Sequence, residues 1–263
     1  MIRVAVVGAT GKTGQRVLDL AGREPGFEVA AALAAENDPW LRQTVRVGTK
    51  SVTIASETDQ PFDVLIDFSR PAGAVRWCRR CFERGAAFVS GTTGLSDEQE
   101  FVLRLAAEKV PVVWAPNFSP GINLLQRLVG TVARELGEDY GIEIVEAHHD
   151  QKTDAPSGTA LSLARTIVEA TGRDMDTDVV HGRQGQVGPR PRRQVGIHAL
   201  RLGDEVGWHE VHFGGPGETV VFRHTVRSRD AFARGALAAA RWVVGQKPGL
   251  YSMQDVLAAG RAR

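Results

Sequence analysis

Three glycines, Gly8, Gly11 and Gly14, recur at intervals of three between the run Arg3-Val4-Ala5-Val6-Val7 and a stretch of helical spacing from Gln15 to Arg23. A short apolar strand that runs into a glycine loop and then a helix opens a βαβ unit, which constrains the chain towards a doubly wound sheet. The run from Val4 to Val7 has no polar side chain, as in a strand covered on both faces. Glycine lets the backbone approach a pyrophosphate, and the helix start adds amide donors and a favourable dipole. The G-x-x-G-x-x-G spacing is a variant of the dinucleotide fingerprint. Gly11-Lys12-Thr13 resembles the end of a nucleoside-triphosphate loop, but that loop needs a glycine where Val6 stands. The spacing therefore excludes it, and a turn that binds nothing is the remaining alternative.

The alternation continues. Pro25-Gly26 ends the first helix, and strand-like runs follow at 27–33, 63–67, 87–90 and 110–114, with helical stretches at 72–83 and 96–108. This predicts a doubly wound α/β sheet. After Pro120 the pattern changes to a helix at 123–136, a strand at 142–147, a polar loop and a helix at 159–170. Residues 193–227 read as antiparallel strands with glycine-rich turns, and 230–244 as an alanine-rich helix. Residues 173–194, rich in Arg, Gly and Pro without an apolar period, read as a mobile loop or lid.

Composition narrows the classes. Lys and Arg number 32 against 31 Asp and Glu, so no charge excess supports a nucleic-acid scaffold or an acidic tail. At 43% hydrophobic and 24% charged, the chain is of globular type rather than disordered. Cys78 and Cys81 are too few for a disulfide framework. No run of about 18 apolar residues is present to span a membrane, and the immediate strand leaves no room for a signal peptide. A cytoplasmic location is the expectation.

The richest segment is Glu146-Ala147-His148-His149-Asp150-Gln151-Lys152-Thr153-Asp154-Ala155-Pro156-Ser157-Gly158-Thr159-Ala160. Histidine titrates near neutrality and suits proton transfer. Lysine and the amides of a helix start suit a carboxylate-bearing ligand. Adjacent histidines on an extended segment point to opposite faces, and no H-E-x-x-H or cysteine set is present, so the segment points away from metal. An N-cap at Ser157 or Asp154 with surface histidines is the plainer alternative. Gly91-Thr92-Thr93-Gly94 and Ala115-Pro116-Asn117-Phe118-Ser119 each follow an expected parallel strand, where ligands of such sheets bind. A ribose-binding acid is expected about 20 residues past the glycines. Ala34 and Ala35 stand there, and Glu36 and Asp38 come late, which leans towards NADPH with Lys12 or Arg42 near its extra phosphate.

These segments, with D-F-S-R-P at 67–71, V-G-I-H-A-L-R-L-G-D at 195–204 and K-P-G-L-Y-S-M-Q-D-V-L at 247–257, resemble the dihydrodipicolinate reductase family over nearly the whole chain. The H-H-x-x-K-x-D-A-P-S-G-T-A segment is the most specific. The resemblance implies a dinucleotide-binding domain over 1–119, completed by 231–263, and a substrate-binding and oligomerisation domain over 120–230. It implies a Rossmann-type parallel sheet beside an α+β domain with an open, mostly antiparallel sheet, and a homotetramer built by pairing those sheets. A hinge near 119–122 and 228–231 would let the domains close and exclude water.

The activity implied is NADPH- or NADH-dependent reduction of 4-hydroxy-tetrahydrodipicolinate to tetrahydrodipicolinate, on the diaminopimelate route to lysine. In that likeness Gly8, Ala9, Thr10, Gly11, Lys12 and Thr13 would hold the cofactor pyrophosphate. Gly91, Thr92 and Thr93, with Ala115, Pro116, Asn117 and Phe118, would line the nicotinamide side. His148 would be the proton donor, Lys152 a second acid that steadies the substrate, and His149, Ser157, Gly158 and Thr159 its carboxylate grip. Ala34-Ala35 depart from the acidic residue usual in the family. Two rivals remain: a paralogue reducing another cyclic imine or a carbonyl acid, and a nucleotide-sensing protein without catalysis, which intact His148, His149 and Lys152 disfavour.

Overall fold

The computed structural model describes residues 1–259. The chain divides into two compact units, one of Met1–Pro120 with the segment from Arg229 onward, the other of Gly121–Ser228.

The first unit is built on an eight-stranded sheet. In chain order its strands are β1 (Ile2–Val7), β2 (Phe27–Leu33), β3 (Thr44–Val47), β4 (Lys50–Ala55), β5 (Val64–Asp67), β6 (Ala87–Ser90), β7 (Pro111–Trp114) and β13 (Gly249–Tyr251). They lie in the order β13-β7-β6-β5-β1-β2-β4-β3, all parallel except the hairpin of β3 with β4. The helices are α1 (Lys12–Ala21), α2 (Pro71–Arg84), α3 (Asp97–Ala106), α6 (Asp230–Val243) and α7 (Met253–Ala259).

The period-two side-chain alternation of β1 explains the two layers. Val4 and Val6 enter one hydrophobic cluster with α1, α6 and α7, whereas Ala5 and Val7 enter the other with α2 and α3. Cys78 and Cys81 are free thiols buried in the second cluster. Because β1 is flanked by β5 on one side and β2 on the other, the connections leaving their carboxyl ends open a crevice at the point where strand order reverses.

The second unit holds α4 (Pro120–Leu136), β8 (Gly141–His148), α5 (Gly158–Thr171), β9 (Val179–His181), β10 (Val195–Arg201), β11 (Trp208–Gly215) and β12 (Glu218–Thr225). The sheet order is β12-β11-β8-β10-β9. The expected antiparallel pairing holds for β12, β11 and β8, while β10 joins β8 and β9 in parallel. A parallel partner needs a crossover, which α5 supplies. One sheet face, with Ile142, Ile144, Ile197, Val211 and Phe213, packs on α4 and α5. The other face carries Leu200 and Val221, both exposed.

Residues 173–194, expected as a mobile loop, contain β9 and are pinned by arginines. Arg183 and Arg190 bond Glu143, and Arg193 bonds Asp178 and Glu138. The density of arginine that broke the apolar period is what anchors this segment. The β3–β4 hairpin and β13 were not legible in the sequence, because these half-exposed strands at the two margins of the sheet carry no continuous apolar run.

Candidate active site

In the first unit the glycine loop is shaped by close approach. Gly8 has φ +77°, a left-handed conformation, and a Cβ on Gly14 would overlap the Gly8 carbonyl. The loop therefore folds onto itself and delivers the chain to α1, whose N-cap is Gly11. A cleft of about 480 Å³ opens beside it, lined by Gly11, Lys12 and Thr13, by Gly91, Thr92 and Thr93, and by Phe68, Ser69, Arg70 and Pro71. Bare backbone, a helix amino end and a lysine suit a pyrophosphate, so these residues fit a dinucleotide.

Behind the cleft lies Asp67, fully buried at the end of β5. Its carboxylate accepts hydrogen bonds from Ser69 N at 3.0 Å and from the Ser90 and Thr92 hydroxyls at 2.7 Å each, and it also takes the Ser69 hydroxyl. Burial pushes this carboxyl above its ordinary value, and the donors only partly offset that. The Thr92 hydroxyl is thus committed inward. Ala115 and Phe118, expected at the nicotinamide side, have core side chains, with Phe118 edge-on to Phe68 at 5.6 Å. Pro116 is exposed, and Asn117 caps its own turn by accepting from Ser119 N.

The end of β2 carries the buried Ala34, and the chain then turns through Asp38 N to Ala35 O at 3.0 Å. That turn returns the Asp38 carboxylate to the glycine loop, where Thr10 Oγ1 donates to it at 2.7 Å and Trp40 N at 2.9 Å. Arg76, the guanidinium beside this turn, is paired with both Glu36 and Glu57.

In the second unit His148 and His209 lie on the covered sheet face. Glu146 and His148 are two apart on β8 and so share a face. Glu146 Oε2 lies 2.6 Å from His148 Nδ1. From β10, Arg201 reaches both Glu146 oxygens at 3.1 and 3.2 Å, and Ser157 N donates to Oε1 at 3.1 Å. Burial would push the Glu146 carboxyl up, but the His148 and Arg201 hydrogen bonds outweigh it and hold the group below its ordinary value.

His209, opposite Glu146 on β11, stands edge-on to His148 at 5.2 Å. Its Nε2 is 2.9 Å from Ser157 Oγ, and burial followed by the neighbouring His148 pushes it down to about 3. Ser157 also caps α5 by accepting from Ala160 N, so Gly158 and Thr159 form the helix's first turn. Lys152 follows in the connecting loop, its N donating to His149 O and its Nζ held by Asp154 at 2.7 and 2.9 Å. The arrangement offers an acid, two cations and a helix amino end, a set suited to a dianion that must be protonated.

The sequence alone singles out neither Asp67 nor Glu146 as a hydrogen-bond hub, and it reads Arg201 and His209, among the later strands, as solvated sheet face or subunit contact. The structure instead buries His209 and sets Arg201 on Glu146. An acid closing an apolar strand is the signal that could have found Asp67.

Known proteins match this chain throughout. Residues 2–118 match the sequence profile of the dihydrodipicolinate reductase N-terminus and residues 121–257 that of its C-terminus. Proteins named 4-hydroxy-tetrahydrodipicolinate reductase from Hahella chejuensis and Syntrophus aciditrophicus are each 41% identical over 264 residues, covering 98% of this chain and 99% and 98% of theirs. Among solved structures, dipicolinate-bound dihydrodipicolinate reductase from Paenisporosarcina sp. TG-14 matches with a TM-score of 0.74 and 26% identity, over 96% of this chain and 97% of that one. A myo-inositol dehydrogenase from Corynebacterium glutamicum shares the fold, at a TM-score of 0.61 and 15% identity over 98% of this chain and 93% of its own.

Proposed function

The chain belongs to the dihydrodipicolinate reductase family, and from that premise we propose that it reduces 4-hydroxy-tetrahydrodipicolinate to tetrahydrodipicolinate with a nicotinamide cofactor. The observation that carries this reading is the cluster of His148, Lys152 and the amino end of α5 on one side of the second unit. Once the C4 hydroxyl and a C3 hydrogen have left as water, a reduced nicotinamide, when bound, would supply a hydride to C4 of the unsaturated ring and become oxidised. His148 then delivers a proton to C3, and Lys152 steadies the charge that develops. His149 and the first turn of α5 at Ser157, Gly158 and Thr159 grip the two carboxylates. The cofactor pyrophosphate lies on Gly8 to Thr13, and the backbones at 91–93 and 115–118 border the nicotinamide. A relative solved with dipicolinate, a planar dianion of the same outline, supports the dicarboxylate assignment.

For cofactor choice, Asp38 supports NADH. Its carboxylate, held on Thr10 of the glycine loop, is placed to accept a ribose hydroxyl and to repel a 2′-phosphate. The nearby Arg76 is already neutralised by Glu36 and Glu57. This reverses the lean towards NADPH drawn from Ala34-Ala35. The exposed face of the second sheet supports a homotetramer, because Leu200 and Val221 lie on it uncovered.

The test is oxidation of NADH and NADPH, followed in parallel at 340 nm, with freshly generated substrate. Substrate-dependent oxidation blocked by dipicolinate is expected, faster with NADH. Cofactor binding without oxidation overturns the reading in favour of a paralogue with another substrate.

A further inference from the structure

Resting on the reading that His148 delivers the proton, we infer that Glu146 is the positioning residue that decides which ring nitrogen does so. Its carboxylate keeps the hydrogen on Nδ1, leaving Nε2 to exchange a proton with substrate, while Arg201 clamps that carboxylate and the loop bearing Lys152.

An ionised carboxylate can only accept hydrogen bonds. Glu146 has no exposed surface, and its two oxygens take Arg201 Nη1, Ser157 N and the His148 ring. Arginine is permanently charged, so the carboxylate has a fixed counter-ion and no water to exchange with. At 2.6 Å, a lone pair on Nδ1 would face a carboxylate lone pair, so the hydrogen between them resides on Nδ1. When Nε2 gives up its proton the ring becomes neutral and keeps Nδ1–H; Glu146 takes no proton in the cycle.

The far side of the ring agrees. A Cβ at Gly207, whose φ is +151°, would come 2.8 Å from His148 Nε2. Only a residue with no side chain leaves that atom room. His209, the other ring facing His148, does not compete for Glu146, because its Nε2 is engaged by Ser157 Oγ and its buried Nδ1 makes no hydrogen bond among the described residues. Among the charged groups on the neighbouring loops, Glu205 accepts from Gly207 N, and Lys152 and Asp154 pair with each other. Arg201 ties their loop to the same carboxylate, since its Nη2 donates to Asp154 O at 2.5 Å. A single guanidinium thereby couples the acid to the loop carrying the second cation.

The experiment uses full-length protein labelled with ring-15N histidine, the His148 signals being assigned by their loss in His148→Gln. In neutral wild-type protein His148 is expected as the Nδ1–H tautomer. In Glu146→Gln, whose amide can donate to Nδ1, the tautomers should mix. With it kcat should fall roughly 10²–10³-fold while the substrate KM and NADH Kd change less than about threefold. Glu146→Asp should restore part of the loss. An Nε2–H tautomer in the wild type, unchanged kcat in Glu146→Gln, or parallel losses of kcat, KM and cofactor binding would each overturn the inference. Should Glu146→Gln fail to fold, the wild-type tautomer and the Glu146→Asp kinetics decide it. The tautomer is read without substrate. A wild-type protein that shows Nδ1–H yet never oxidises cofactor would therefore sink the proposed reaction and leave the dyad standing.

Discussion

His148, Lys152 and Asp38 each do something that a single substitution can isolate. His148→Gln removes the proton donor, and kcat should drop roughly 10²–10⁴-fold in the 340 nm assay. Near-normal turnover would move the acid elsewhere. Lys152 is a cation beside a dianion's grip, so Lys152→Ala should raise the substrate KM and weaken dipicolinate inhibition, each about tenfold. Inhibition curves that superimpose on those of the wild type would remove it from the site. Asp38→Ala removes the carboxylate from Thr10, so the ratio of NADH to NADPH affinity, read by fluorescence titration, should shift towards NADPH by about tenfold. A constant ratio would mean that the ribose lies elsewhere. The two histidines and the lysine are spelled out in sequence by their spacing. Asp38 and Glu146 are not, because what matters for them is a turn that returns to Thr10 and a neighbouring strand that brings Arg201.

The connections after β5 and β6 are held to one another by a buried carboxyl group as well as by the Phe68 ring packed on Gly91. Asp67 accepts from Ser90 and Thr92 as well as from Ser69, so it joins the ends of two strands and the starts of the two connections that leave them. Asp67→Ala strands two buried hydroxyls, and the urea midpoint should report a loss of about 1–3 kcal/mol. NADH binding should weaken with it, since Thr92 and Thr93 line the cleft. A destabilised protein with unaltered NADH affinity would confine Asp67 to the fold. The parallel strands and helices of the first unit were readable because buried runs and helical periods are long enough to count. The β3–β4 hairpin and β9 were not, since largely exposed strands without a continuous apolar run are set by their pairing partners.

The proposed tetramer would form through the sheet face that carries Leu200 and Val221 exposed. Val221 sits on β12 opposite His212, with Glu210 beside it and Glu143 next across the sheet. Both acids already have arginine partners, so Val221→Glu should place a carboxylate without a partner where the contact needs an apolar side chain and lower the mass seen by light scattering below four chains. A tetramer that survives the change would place the contact on another surface. The chain's near-zero net charge offers no long-range repulsion against such self-association.

The sequence by itself determined the doubly wound sheet, the change of architecture after Pro120, the glycine loop and the histidine–lysine segment. These are local patterns, carried by residues close together in the chain. Tertiary structure decided which groups those residues answer to. Glu146 meets Arg201 at a separation of 55 residues, His209 meets Ser157 at 52, and Asp38 meets Thr10 at 28. Contacts of that range have no period and no fixed spacing. They exist only once strands have paired and buried their charges, where an acceptor without a donor would cost too much to keep.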